Sequence, residues 1–111
     1  MLDRAHFDAM TGGDNELQLE IIGLFRSQVS AWTQLLTPDA KWRDAAHTVK
    51  GSARGIGLWP LAQACEAAEA AGDGVEITAA LQRLRVCLEQ ALAALDLVAR
   101  NSSPAGNIPG V

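Results

Sequence analysis

Apolar positions along the chain recur at helical spacing almost throughout. Leu2, Phe7 and Met10 anchor a short amphipathic segment, a predicted helix over 2–10 that stops at the TGGDN run. Asp14 follows two glycines and is a good N-cap for a second helix over about 16–36. The apolar stripe of that helix reads Leu17, Ile21, Leu24, Phe25, Trp32 and Leu36. Thr37 and Pro38 end it, and Asp39 is the expected cap of a third helix over about 40–56. A fourth starts around Trp59 with Pro60 in its first turn, where proline's missing N–H costs nothing. It carries Leu61, Cys65 and Ala68 inward and ends at Gly72-Asp73-Gly74. In the fifth and longest, over about 75–100, Ile77, Leu81, Leu84, Leu88, Ala91, Leu95 and Val98 alternate by four and three, the spacing of a bundle seam.

No stretch alternates apolar and polar residues as a strand would, and the connections between the helices are short. The pattern therefore predicts an all-α fold: an antiparallel four-helix bundle with a short additional N-terminal helix across one end. One domain is expected over 1–100, followed by a flexible tail over 101–111 in which Pro, Gly, Ser and Asn mix. An apolar content of 49% is enough for a single core. The net charge of −4 argues against nucleic acid, which calls for a broad basic surface. No apolar run approaches the ~20 residues of a membrane span, and the start MLDRAHFDAM does not read as a signal peptide. Cys65 and Cys87 have no second Cys or His at metal-ligand spacing. They read as buried thiols of a cytoplasmic protein, with a disulfide between them as the other option.

The third helix holds the unusual stretch, AAHTVKGSARGIG over 45–57. A glycine in a helix interior costs ~1 kcal/mol against alanine, and here there are three. At ~100° per residue, Trp42, Ala45, Ala46, Val49, Ala53 and Ile56 fall within roughly 60° of one direction, the predicted core face. His47 lies ~140° away, on the solvent side. Arg43, Lys50 and Arg54 stand one or two turns from it, and Lys41, Arg43, Lys50 and Arg54 are four of the nine basic residues in the chain. Nearby positive charge disfavours an imidazolium and leaves a ring nitrogen free to act as a nucleophile. Lys50, with Arg54 further off, is placed to attract an anion there, and a phosphoryl group suits a site built on positioning and electrostatics. Gly51 sits next to His47 and would let another protein approach the ring closely. Gly57 suits close packing or helix termination, while Gly55 faces outward without an account.

Plainer readings stand beside these. A lone surface histidine is in most cases only a solvated side chain, and a basic helix face only a solvated face. His6 stands alone and is given no role. Gln28 is either a polar residue at a helix boundary or a hydrogen-bonding partner near His47. Trp59 either covers the end of the bundle or belongs to a contact surface. The functional case rests on several features coinciding on one face of one helix.

The run from Ala46 to Glu69, AHTVKGSARGIGLWPLAQACEAAE, resembles histidine-containing phosphotransfer (HPt) domains, in which a histidine is followed by lysine at +3, glycine at +4 and often serine next. A glycine at +10 and a leucine four residues later complete the pattern, met here by His47, Lys50, Gly51, Ser52, Gly57 and Leu61. The upstream GGDNELQLEIIGLF is similar to the start of the preceding helix in that family, so the resemblance spans roughly residues 5–100. Leu58 departs from it, since many members have alanine there. The resemblance implies a phosphorelay intermediate that is not an enzyme. Nε2 of His47 would take a phosphoryl group from an aspartate of one receiver domain and pass it to another. Lys50 would neutralise the phosphate and Gly51 would give the receiver room, with Arg54 a further contact. The partners implied are receivers of response regulators or of hybrid histidine kinases. The protein would be a cytoplasmic monomer with no cofactor of its own, the Mg²⁺ belonging to the receiver. No phosphate-binding glycine loop is present for it to make its own donor. A scaffold that binds receivers or kinases without accepting phosphate is the alternative, and a phosphoacceptor for an autokinase lacking its own histidine domain is a third.

Overall fold

In the computed structural model, which describes residues 2–102, five α-helices follow one another: α1 (Arg4–Thr11), α2 (Asn15–Leu35), α3 (Trp42–Ile56), α4 (Trp59–Ala70) and α5 (Gly74–Ser102). There is no strand among the described residues. The four longer helices form the predicted bundle, with α4 packed between α3 and α5, and α2 closing on α5. Two residues join α3 to α4 and three join α4 to α5, which leaves no length for anything but antiparallel neighbours. α5 continues two residues into the stretch expected to be a tail, and 103–111 lie outside the described residues. No helix among the described residues is long and apolar enough to cross a membrane.

The seam of α5 is as the spacing predicts: Leu81, Leu84, Leu88 and Leu95 are fully buried, with Ala91 beside them and Ile77 and Val98 half-buried against the same core. Full burial of a leucine side chain is worth roughly 1.5–3 kcal/mol, so this row is a principal source of stability. On α3, Trp42, Ala45, Ala46, Val49, Ala53 and Ile56 are all buried, as the wheel requires. On α4, Leu61, Cys65 and Ala68 face inward. Leu58, the departure from the family pattern, is buried in the core at the α3–α4 turn.

Three expectations are corrected. The stripe of α2 is displaced in its first half: Leu17 and Leu24 are 38% and 64% exposed, while Gln18 and Ile22 are buried; Phe25, Trp32 and Leu36 are buried as expected. The row that faces the core is Gln18, Ile22, Phe25, Val29, Trp32 and Leu36, a 4-3 repeat that starts on a polar residue. Gln18 can occupy it because its amide nitrogen donates to Thr11 Oγ1 at 3.0 Å and to Asp8 Oδ1 at 2.9 Å. The first helix begins at Arg4 behind an Asp3 cap, and Phe7 alone is its fully buried anchor, since Leu2 is half-buried and Met10 exposed. α3 starts at Trp42 instead of Ala40, because Thr37 to Ala40 close a turn through Ala40 N–H to the Thr37 carbonyl. Asp39 therefore caps nothing, whereas Asp14 does cap α2, accepting from Leu17 N–H at 3.1 Å.

α1 is pinned to the α3–α4 turn. Gly57 ends α3 at φ +101°, and its carbonyl accepts from Asp3 N–H at 2.8 Å. His6 Nε2 donates to the Gly55 carbonyl at 3.1 Å, and its ring meets Trp59 edge-on with centroids 5.0 Å apart. Trp59 Nε1 in turn donates to Asp3 Oδ2 at 2.8 Å. His6 thus has a structural role, and Trp59 covers this end of the bundle.

Candidate functional site

The helical period of α3 turns one side of the helix away from the core, and His47 stands there with its side chain 75% exposed. α4, packed alongside, brings the carboxylate of Glu69 to this face. Glu69 Oε2 lies 3.5 Å from His47 Nδ1, and Oε1 accepts from Lys50 Nζ at 2.6 Å. Lys50 is largely covered, with its side chain 16% exposed. Nε2 of His47, the other ring nitrogen, has no hydrogen-bond partner among the described residues. The Lys50 ammonium beside Glu69 holds its carboxyl below the usual carboxylate range, and His47 adds to the effect.

The basic residues of α3 are consequently not a free cationic patch. Arg43 donates to the Glu69 backbone carbonyl at 3.1 Å and lies over the Trp42 ring at 4.4 Å from its centroid. Arg54 pairs with Glu66, one turn before Glu69 on α4. Lys50 and Arg54, expected to stand ready for an anion, are each engaged by a carboxylate instead. The positive charge expected to act on the His47 ring is opposed by Glu69. Lys50 is in reach of the site through the carboxylate it shares with His47, whereas Arg54 is tied two turns further along.

The glycines separate in kind. A side chain at Gly51 or Gly55 would meet nothing within 4 Å, so neither is required by internal packing. A Cβ at Gly57 would come to 3.1 Å from both the Asp3 carbonyl oxygen and His6 Cδ2. Gly57 therefore serves both termination and close approach, and Gly55 contributes a carbonyl to the α1 attachment. Gln28 is exposed inside α2, a solvated polar residue away from either end of the helix. Cys65 is buried and Cys87 half-buried, both as free thiols. Burial pushes the Cys65 thiol up to about 12, which leaves it unreactive at neutral pH.

Glu69 is the residue that sequence reasoning missed. It ends the quoted family-like run, and its i, i+3 relation to Glu66 marks one acidic face of α4. Matching that face to the basic side of α3 would have pointed to it.

Fold and face together define a class: a small helical bundle that displays one exposed, charge-flanked histidine on its third helix. The Hpt domain family matches residues 20–97, and the chain belongs to that family. Its structure is similar to that of the histidine phosphotransferase ShpA from Caulobacter crescentus, at 34% sequence identity and a TM-score of 0.79. That likeness covers 92% of this chain and 93% of the other. A comparison with curated proteins gave no match. Membership places the protein among the phosphocarriers of two-component phosphorelay signalling.

Proposed function

We propose that the protein is a phosphorelay shuttle, carrying a phosphoryl group on Nε2 of His47 between aspartates of receiver domains. The observation that carries this reading is the exposed His47 ring, with Nδ1 turned to a carboxylate and Nε2 open to an incoming group. An imidazole nitrogen with a free lone pair is a competent nucleophile toward an acyl phosphate. Transfer then depends on positioning and on stabilising the charge of the phosphoryl oxygens. Lys50 supplies the nearest cation, which a phosphoryl group on Nε2 would draw away from Glu69. Gly51, one turn from His47 with open space where a side chain would be, leaves clearance for a receiver. Arg54 is a contact for the receiver rather than for the phosphate, because its guanidinium is held by Glu66.

The partners are receivers of response regulators or hybrid kinases, in the cytoplasm, and the Mg²⁺ of the reaction belongs to the receiver. The carrier holds the group without catalysing its own phosphorylation from a nucleotide. A scaffold that never accepts phosphate would have no use for an open ring nitrogen opposite a carboxylate. The test is uptake of label from a phosphorylated receiver as an acid-labile, base-stable adduct. Wild type is expected to load and His47→Gln to stay blank while remaining folded. Substitution of so exposed a side chain shifts stability by no more than ~0.5 kcal/mol. Loading of His47→Gln would overturn the site, and a wild type blank toward every receiver of its own cell would overturn the function.

A further inference from the structure

We propose that the outer face of α5 is a self-docking surface, through which two copies of the chain pair antiparallel about a two-fold axis at Val86. Val75, Val86 and Leu97 follow one another at intervals of eleven residues, and all three are exposed, at 83%, 46% and 53%. Eleven residues make about three turns, so the three fall on one nearly straight line along the helix. At ~100° per residue that line lies roughly 180° from the buried seam of Leu81, Leu84, Leu88 and Leu95. Single exposed apolar side chains need no explanation, but this is a second apolar row, set opposite the seam and without a partner among the described residues.

The row reads alike in both directions from Val86. Eleven residues away stand Val75 and Leu97, seven away Ala79 and Ala93, and four away Gln82 and Gln90. A two-fold contact between identical surfaces asks for this, because residue i must meet residue j and j must meet i. With antiparallel helices centred on Val86, Val75 meets Leu97 of the partner subunit and Ala79 meets Ala93 of the partner subunit. Val86 meets its own copy, and the small alanines let the helix axes approach. The flanking polar groups agree. Gln82 and Glu89 lie on one side of the row, Arg83 and Gln90 on the other, and like sides face each other in an antiparallel pair. Gln82 then donates to the carboxylate of Glu89 of the partner subunit, and Arg83 to the amide oxygen of Gln90 of the partner subunit, each twice by symmetry, with no like charges opposed. None of these four has a hydrogen-bond or ion-pair partner within the chain among the described residues. Arg85 and Asp96, at the rim, are by contrast tied to α2 through the Leu36 carbonyl and Arg26.

The contact is small. From Val75 to Leu97 the helix runs about 33 Å at ~1.5 Å per residue. A single helix pair of that length belongs with the weak interfaces, below ~1,200 Å² in all. Pairing therefore depends on concentration: the chain is the expected monomer when dilute and a dimer when concentrated. α5 packs on α4 and α2 and lies diagonal to α3, so its outer face points away from His47. The two bundles stand back to back with their His47 rings on opposite outer faces, and a receiver can reach each ring as in the monomer. The inference is thus independent of the reading of His47 above.

The test is sedimentation velocity of the full chain from about 10 μM to about 1 mM, the range suited to so small an interface. The mass of wild type is expected to rise from 11.7 kDa toward twice that value. Val86→Glu and Val86→Lys, at an exposed position that leaves the core intact, should each stay monomeric, since like charges at the axis weaken association about a hundredfold. Mixed in equal amounts the two should associate again, because residue 86 faces its own copy. In a Cys87→Ala background, Ala79→Cys and Ala93→Cys should cross-link with each other under mild oxidation and neither with itself. A wild type monomeric over the whole range would overturn the proposal and leave the face to a partner other than this chain. A Val86→Glu protein that associates as wild type does, or a mixture no more associated than its parts, would overturn it too. Self-cross-linking of Ala79→Cys without the mixed product would overturn the antiparallel arrangement. Loading of His47 from a receiver should proceed at the wild-type rate in Val86→Glu. Pairing without loading would sink the relay reading and leave this one standing, and loading by a chain that never pairs would do the reverse.

Discussion

The glycines of α3 make the account quantitative, because one substitution should raise stability at one site and lower it at another six residues away. At Gly51 an added Cβ meets nothing within 4 Å, and the residue lies inside the helix. Gly51→Ala should therefore gain ~0.5–1 kcal/mol from the lower backbone entropy of the unfolded chain. For a domain of this size that is a rise in Tm of about 3–6 °C. Gly57 sits at φ +101°, where an L-residue costs roughly 1–2 kcal/mol, and its Cβ would press on Asp3 and His6 at 3.1 Å. Both neighbours are held by hydrogen bonds to this turn, at 2.8 Å and 3.1 Å, so relief of the clash loosens the attachment of α1. Gly57→Ala should lose ~2–3 kcal/mol in all. Urea unfolding followed by circular dichroism measures both. The reasoning fails if Gly51→Ala is less stable than wild type, or if Gly57→Ala lies within 0.5 kcal/mol of it, the scatter of surface substitutions. Gly51→Ala should also slow loading from a receiver while it stabilises the fold, a pairing of signs that a purely structural glycine would not give.

Other outcomes follow from the same contacts. Phe7→Ala, at the fully buried anchor of α1, should cost ~3–5 kcal/mol, read from the urea midpoint. Lys50→Ala should slow loading of His47 about five- to tenfold without abolishing it, in a single-turnover assay with a phosphorylated receiver. Acid should weaken the fold partly through Glu69, whose folded-state value lies below its ordinary 4.5 because Lys50 pairs with the ionised form. That contribution is complete above pH 4.5 and is lost as the pH falls through the lowered value, so wild type should lose stability more steeply than Glu69→Gln below pH 4.5. Asp3 and Asp8 are lowered too, Asp3 chiefly by the Trp59 hydrogen bond and Asp8 chiefly by Arg4, and give both proteins the same background.

The core face of α3 and the seam of α5 were legible because helical periodicity alone decides which side of a long, strongly patterned helix is buried. On α2 the later part of the stripe, Phe25, Trp32 and Leu36, was legible and the first part was not. Its register is anchored by Gln18, a polar residue whose amide is satisfied by Asp8 and Thr11 from the preceding helix, and hydropathy cannot register a partner in another element. The start of α3 was misplaced for a local reason, since Thr37 to Ala40 close a turn before the helix begins. At the site, exposure of His47 was read from the wheel, but the state of its basic neighbours was not. Lys50 and Arg54 are charged groups on one helix in sequence and members of ion pairs with α4 in three dimensions. His6, Trp59 and Gly55 had no legible role for the same reason, because their contacts join residues about fifty positions apart.

The most direct test of the shuttle is a pulse and chase between two receivers. The protein is loaded from one phosphorylated receiver, purified away from it, and mixed with a second receiver and Mg²⁺. The account predicts that label leaves His47 and appears as acyl phosphate on the second receiver. Label that stays on His47, or that leaves only as inorganic phosphate, would contradict it.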